Sequence, residues 1–297
     1  MNDLHLLSES PQDLQEQLTA IAPKESLKGR KIYLALIDSE ILFRPFQFDN
    51  AVNLEHQLSM EAVKLLSLPV GDIILDYQMT SQANEQIMGI YICGSRRRLK
   101  EYNDIFLRFK VYPVQLIPYA LVIANYFFSD KNLENKQHVL IDCFKPSQAV
   151  LGVFARSQCV LMRLIQYESL ENLKIEINSS ILSACAASRV KQCDGFYFYG
   201  NYDQKEEVLN FCRTNYGEQV LEGGQVDLSQ MFSIKNKIFY VHFLRNELLG
   251  IYGHRKVFYG LSVVFIILLL GVVGLWMCLV QQQVQIHQLQ IILQGLK

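Results

Sequence analysis

The stretch from Val257 to Val280, VFYGLSVVFIILLLGVVGLWMCLV, runs without a charged side chain and constrains the chain more than any other feature. About 20 mainly apolar residues suffice to cross a hydrocarbon core of roughly 30 Å, so the run predicts a single transmembrane helix. A buried helix of a soluble core rarely stays apolar around its whole circumference for this length. Tyr259 and Trp276 lie near the two ends, where amphipathic rings favour the headgroup region and anchor a span. Arg245, His254, Arg255 and Lys256 precede the run, whereas the segment after it carries one basic residue, Lys297. The positive-inside bias therefore places the large N-terminal part in the cytoplasm and lets only a short tail cross. The run is too long and too late to be a secretory signal, and MNDLHLLSESPQ at the start has no basic region followed by an apolar one.

Ahead of the run, about 250 residues are free for cytoplasmic structure, enough for one large or two modest domains. Half of all residues are hydrophobic and 19% are charged, a balance that buries a real core. The net charge of -1 argues against nucleic acid as the main partner, because phosphate binding needs a basic surface excess. The seven cysteines form no CxxC, several sit in apolar runs, and reduced buried thiols are expected. The six histidines show no HExxH and no Cys/His ligand spacing, so no metal is expected.

Ser10 as N-cap, Pro11 at the first helical position and Asp13 in the first turn predict a helix with Leu14, Leu18 and Ile21 on one face. KIYLALI (31–37) reads as a strand, and a turn at Asp38-Ser39 leads to a second, ILFRPFQF (41–48), which Pro45 marks as an edge strand or a bulge. Residues 51–67 carry Leu54, Leu58, Ala62 and Leu65 at helical spacing before Pro69 and Gly71 stop the helix. Strands follow at 72–80 and 86–93, joined by a polar turn, and Gly94-Ser95 caps a helix to about Phe109. A short strand at 114–117 and a helix opened by Pro118 close a first half, 1–130. The polar loop SDKNLENKQ is the hinge candidate. The second half, 137–245, opens with HVLIDCF, AVLGVFA and QCVLMRLIQY as an antiparallel meander, followed by a helix (168–188), the strand GFYFYG and a helix (203–215). Gly223-Gly224 reads as a turn, and KIFYVHFL as a last strand or helix. The run Arg96-Arg97-Arg98 with Lys100 reads as a solvated helix face.

Two α/β halves joined by a hinge suit an actin-like nucleotide-binding fold, and the stretch RPFQFDNAVNLEHQLSMEAVKLLSLPVGDIILDYQ (44–78) resembles the PilM family of type IV pilus machines. That family places a strand before a helix that carries a glutamate and ends at a proline, then a strand ending in Asp-Tyr. Glu61, Pro69, Asp76 and Tyr77 stand at those positions here. The resemblance continues in order through IYICGS, RRRLKEYNDIFLRF, VYPVQLIPYALVIANYF and HVLIDCFKPSQAVLGVFARSQCVLMRLI, covering about residues 12–250. It implies an actin-like ATPase fold with a strand-helix-strand-strand interaction subdomain at 41–93, followed by the single transmembrane helix. PilM proteins bind PilN, whose short Asn-Leu-Leu segment precedes a membrane helix. Residues 246–256 open with Asn246, Leu248 and Leu249 directly before the membrane run, so the chain resembles a fusion of the two, the arrangement also found in the GspL family of type II secretion. The implied location is a bacterial inner membrane, with partners among pilus or secretion components and a possible cytoplasmic motor ATPase.

An actin-like ATPase holds phosphates between two glycine-containing hairpins whose bare backbones approach the anion. The resemblance puts the first hairpin ahead of the helix at Pro11, and this sequence is expected to begin at that helix without it. The second retains Asp142, but its turn reads Cys143-Phe144-Lys145-Pro146-Ser147 with no glycine. Of the adenosine-side loop only Gly200 remains. Asp142, Ser147 and Gly200 are thus the degenerate nucleotide-binding candidates, ATP hydrolysis is not expected, and Asp142 alone reads as a strand-end carboxylate capping a turn. No P-loop, GxSxG or GxGxxG occurs. In the tail, 281–297, Ile286, Leu289, Leu293 and Leu296 form an a/d seam, expected to pair with a second copy or another coiled coil. The expected function is a non-catalytic scaffold that links a cytoplasmic assembly factor or motor ATPase to a periplasmic helix. An active ATPase missing its first hairpin and an unrelated tail-anchored adaptor are the alternatives.

Overall fold

The chain divides into two compact units, Met1–Phe243 and Leu244–Lys297. A computed structural model describes residues 3–23, 26–49, 52–83, 86–130, 137–155, 158–188, 193–200, 205–217, 220–224 and 227–234, all within the first unit. The membrane run at 257–280 with Tyr259 and Trp276, the segment with Asn246, Leu248 and Leu249, the tail seam and KIFYVHFL lie outside the described residues. Among those that are described, no helix is long and apolar enough to cross a membrane.

The chain enters on strand β1 (Leu4–Ser8) and helix α1 (Pro11–Ile21), followed by β2 (Lys31–Leu36) and β3 (Ile41–Phe48). Helix α2 (Leu54–Leu66), strands β4 (Ile73–Ala83) and β5 (Gln86–Ser95), helix α3 (Arg96–Phe109), β6 (Tyr112–Pro118) and α4 (Tyr119–Asp130) complete the first half. The second runs β7 (Gln137–Lys145), β8 (Gln148–Ala155), β9 (Gln158–Gln166), α5 (Leu170–Ser188), β10 (Gly195–Tyr199), α6 (Lys205–Tyr216), β11 (Val220–Gly224) and α7 (Leu228–Phe232).

Three sheets organise these elements. β1, β2 and β6 form a parallel sheet in that order, and the buried run Leu34, Ala35, Leu36 in β2 shows the continuous apolarity that a strand covered on both faces needs. β3-β5-β4 is a separate antiparallel sheet under α2, its core built from Phe46, Leu54, Leu58, Ala62, Ile87 and Tyr91. The third sheet has the order β11-β10-β7-β8-β9, with an antiparallel meander β7-β8-β9 and with β10 and β11 parallel to β7. Its core joins sheet residues such as Ile141 and Phe198 to Leu173 and Ile177 of α5 and Val208 of α6. The order strand, helix, strand, strand runs over Ile41–Ser95, and the β7-β8-β9 meander over Gln137–Gln166.

Five expectations need correction. A strand, β1, does precede α1; LHLLS is too short to announce itself and is fixed by its parallel partner β2 and by Phe232, whose ring lies 5.8 Å from that of His5. Gly224 is not in a turn but pairs with Tyr199 at a register shift in β11. Asp76 and Tyr77 do not end their strand, because β4 runs on past a bulge between Met79 and Ser81. Leu65 is 40% exposed, outside the buried stripe of Leu54, Leu58 and Ala62. Arg98, expected on a solvated face with Arg96 and Arg97, turns inward onto Asp38 at 2.7 Å.

Candidate functional site

The carboxyl ends of the parallel strands β1, β2 and β6 bring Ser8, Asp38 and Tyr119 to one edge of their sheet, where the Ile37 N–H donates to the Ser8 carbonyl at 2.9 Å. Such an edge is the usual ligand side of a parallel sheet. The end of β7 and the β7–β8 turn meet it through Asp142, Phe144 and Lys145. Beside them, against β3, β8 and β9, lies a cleft of about 460 Å³, walled by Ile37, Ile41, Phe43, Val150 and Met162 and reached by Asp38 and Tyr119.

Asp38 at this edge and Asp142 opposite it are both already engaged. The Asp142 side chain, 2% exposed, accepts the Tyr119 hydroxyl at 2.5 Å. Burial pushes its carboxyl up to about 6, an effect that the Tyr119 hydrogen bond partly offsets. Burial and then the Asp142 charge hold the Tyr119 hydroxyl well above its ordinary range. Asp38 accepts Arg98 Nε at 2.7 Å, the Tyr102 hydroxyl at 2.9 Å and the Glu40 N–H at 2.9 Å. Burial opposes the Arg98 charge, yet the bonds to Asp38 and Glu101 and the charges of Asp38 and Glu40 leave its pKa raised.

The β7–β8 turn is held from the other side. A register shift between Asp142 and Lys145 bulges the strand and sets Phe144 against the Tyr119 ring, 4.8 Å between centroids. Lys145 Nζ meets Glu9 Oε1 at 2.5 Å, tying the turn to the entrance of α1. That helix start is closed by its own residues: Ser10 Oγ accepts the Asp13 N–H, and Asp13 Oδ2 accepts the Glu9 N–H, a reciprocal cap. Glu9 and Asp13 therefore put negative charge where a helix N-terminus would otherwise attract an anion.

The structure brings Asp142 and Gly200 together. Tyr199 pairs with Asp142 across the parallel ladder, and Gly200, at φ +97°, lies so close to Cys143 that a Cβ would sit 2.2 Å from its carbonyl oxygen. Ser147 stands apart at the tip of the turn at φ +63°, its carbonyl accepting the Tyr167 N–H at 3.0 Å. Sequence reasoning missed Tyr119, Glu9 and the Asp38–Arg98 pair. Each partner is distant in sequence, and only the Asp38-Ser39 turn before an edge strand hinted at the last. Among the described residues no group of three or more His, Cys, Asp or Glu side chains could hold a metal, and the six cysteines there are free.

A second concavity, about 620 Å³, lies between the far half of β3 and α2, lined by Phe46, Phe48, His56, Met60, Glu61 and Lys64. Among the described strands β3 is an edge strand that pairs with β5 alone. Up to Arg44 it faces β9 across the first cleft; from Pro45 it forms the wall of this groove. Beneath lies the fully buried Tyr91, whose hydroxyl is pushed well above its ordinary range, first by burial and then by the Glu61 carboxylate.

No family model and no curated protein sequence matches the chain. Among solved structures, a chain of a PilM-PilN type IV pilus biogenesis complex superposes with a TM-score of 0.52 at 12% identity, over 76% of this chain and 79% of its own. A Bacteroides thetaiotaomicron protein described as having an actin-like ATPase fold and unknown function gives 0.49 at 14% identity, over 75% of this chain and 82% of that one. The cytoplasmic domain of EpsL, an inner membrane component of the Vibrio cholerae type II secretion system, gives 0.45 at 12% identity, over 81% of this chain and 98% of that one. At 12% identity the likeness to the chain of the PilM-PilN complex is one of fold alone, and the described part of this chain is a mixed α/β structure.

Proposed function

We propose that the chain is a membrane-anchored, non-catalytic scaffold of a type IV pilus or type II secretion-like assembly platform in a bacterial inner membrane. The observation that carries the non-catalytic part is Asp142: the one acidic residue retained from the second phosphate hairpin is buried and hydrogen-bonded to Tyr119. A carboxylate that positions a metal–nucleotide must be reachable, whereas this one is buried against a tyrosine. The absence of glycine from the Cys143–Ser147 turn and the Glu9–Lys145 ion pair that ties this turn to the start of α1 support the same reading.

The likeness of fold to a chain of a PilM–PilN complex supports partners among pilus or secretion components. The edge strand β3 with the groove along α2 offers a cytoplasmic assembly factor or motor ATPase both a backbone edge and apolar side chains. Asn246, Leu248 and Leu249 are the peptide through which a neighbouring cytoplasmic domain would be engaged. Tyr259 and Trp276 anchor the span, and the seam Ile286, Leu289, Leu293 and Leu296 pairs on the far side.

Titration calorimetry of the full chain with magnesium ATP, beside a phosphate-release assay, tests the central claim. No saturable heat and no turnover are expected; micromolar binding with hydrolysis would overturn it.

A further inference from the structure

Helix α5 has two apolar sides. Leu173, Ile177, Ile181 and Ala184 are buried on the β8–β9 face, at the spacing of an inward helical stripe. The opposite side presents Ile175 and Leu182, which are 63% and 67% exposed. Seven residues apart, they lie two turns from each other on one face, about 10.5 Å along the axis. Ser179 fills the space between them, its hydroxyl turned back onto the Glu176 carbonyl at 3.1 Å. Asn178 is held to the side by the Tyr216 hydroxyl. Ser183 and Ala186 continue the exposed face toward the end of the helix.

The charges around this stripe are engaged with one another. Lys174 bonds Glu171 at 2.7 Å and Glu207 at 3.1 Å, and Arg163 bonds Glu176 at 2.5 Å and Ser180 at 3.2 Å. Each of these two cations and three carboxylates already has a partner within the fold. The stripe, however, is complementary to itself. If two copies of α5 cross antiparallel about a twofold axis between Asn178 and Ser179, Ile175 of each meets Leu182 of the other, which is the reciprocal pairing that an isologous contact requires. The short Ser179 lets two helix axes approach to the 8–10 Å of ordinary packing.

The geometry points to α5 as a twofold contact between the cytoplasmic units of two copies of this chain. The inference rests on the membrane-anchored reading above. Two turns of helix bury far less than the ~1,200 Å² of a stable complex, so the contact needs a tether. The membrane run and the tail seam beyond it supply one, because linked sites meet at about millimolar effective concentration. A contact with a dissociation constant near 1 mM is then about half formed in the membrane and absent from dilute soluble protein.

The test uses the full chain in phospholipid vesicles, with Ile175→Cys and Leu182→Cys placed on differently tagged copies and Asn210→Cys, exposed on α6, as control. Under mild oxidation of an equal mixture the mixed pair is expected to cross-link in roughly a quarter of the chains, since about half are in contact and half of those contacts are mixed, with each variant alone and the control at the level of the parent chain. Adding Leu182→Glu to the Ile175→Cys copy and Ile175→Glu to the Leu182→Cys copy is expected to abolish the mixed cross-link, while circular dichroism stays unchanged. Protein that floats with the vesicles but gives no mixed cross-link refutes the α5 contact alone. Like-with-like cross-linking at 175 and at 182 refutes the antiparallel arrangement. Protein that does not float with the vesicles refutes the membrane reading and removes the tether on which the contact depends.

Discussion

Replacing Asp142 by asparagine is expected to stabilise the protein at neutral pH, the reverse of what loss of a ligand-holding carboxylate would do. The folded state raises the Asp142 pKa from 3.8 to about 6 through burial, against the help of Tyr119. A raised carboxyl pKa means that the protonated form suits the folded state, so this contribution is fully present below about pH 4 and is lost as pH rises through about 6. About two pKa units at roughly 1.4 kcal/mol each put the cost of the charge near 3 kcal/mol at pH 7. Asparagine keeps an acceptor for the Tyr119 hydroxyl and carries no charge, so Asp142→Asn should gain about 2–3 kcal/mol at pH 7 and almost nothing at pH 4. For a unit of this size that corresponds to a rise in Tm of roughly 5–10 °C. Thermal unfolding followed by circular dichroism at pH 4, 5, 6 and 7, in both chains, reads the difference directly. A variant less stable than the parent at pH 7, or one with an unchanged pH slope between 4 and 6, would show that a bound cation holds the carboxylate charged, and the scaffold argument would lose its main support.

Gly200→Ala should destabilise by about 2–4 kcal/mol in urea unfolding, because an L side chain at φ +97° is strained and its Cβ would press on the Cys143 carbonyl. Arg98→Ala should cost about 3–5 kcal/mol by leaving Asp38 charged in a buried place, and adding Asp38→Asn should recover part of the loss; the two losses simply adding would refute the coupling. Lys145→Ala should cost less than about 1 kcal/mol, since both partners of its ion pair are more than a third exposed and screened by solvent. A cost above 2 kcal/mol would mean that the bridge to Glu9 holds more than the turn.

What the sequence disclosed follows the range of the forces involved. α1 was legible because Ser10, Pro11 and Asp13 act within one turn, and α3 because Ser95 caps it locally by accepting the Arg98 N–H. The β7-β8-β9 meander was legible because its strands adjoin in sequence. β1 was not, since five residues with a histidine and a serine become a strand only beside β2. β11 was hidden by Gly224, which looks like a turn residue until Tyr199 is seen to pair with it. At the cleft, Asp142 stood out as an acid at the end of an apolar strand, but its environment is made by Tyr119, 23 residues earlier. Arg98 shows the same limit: a triple-arginine run reads as surface, and nothing local reveals that the third member meets Asp38, 60 residues away.

The contact of Phe232 with His5 and Tyr33, at ring separations of 5.8 and 5.6 Å, also has a meaning for synthesis. Helix α7 is the last described element to emerge from a ribosome, and it covers the first described strand. At about 5–20 residues per second the chain takes tens of seconds to extend from one to the other. During that time the β1 edge and the ring face of Tyr33 lack this cover, so the nascent chain carries a window of exposure that closes only when Phe232 arrives.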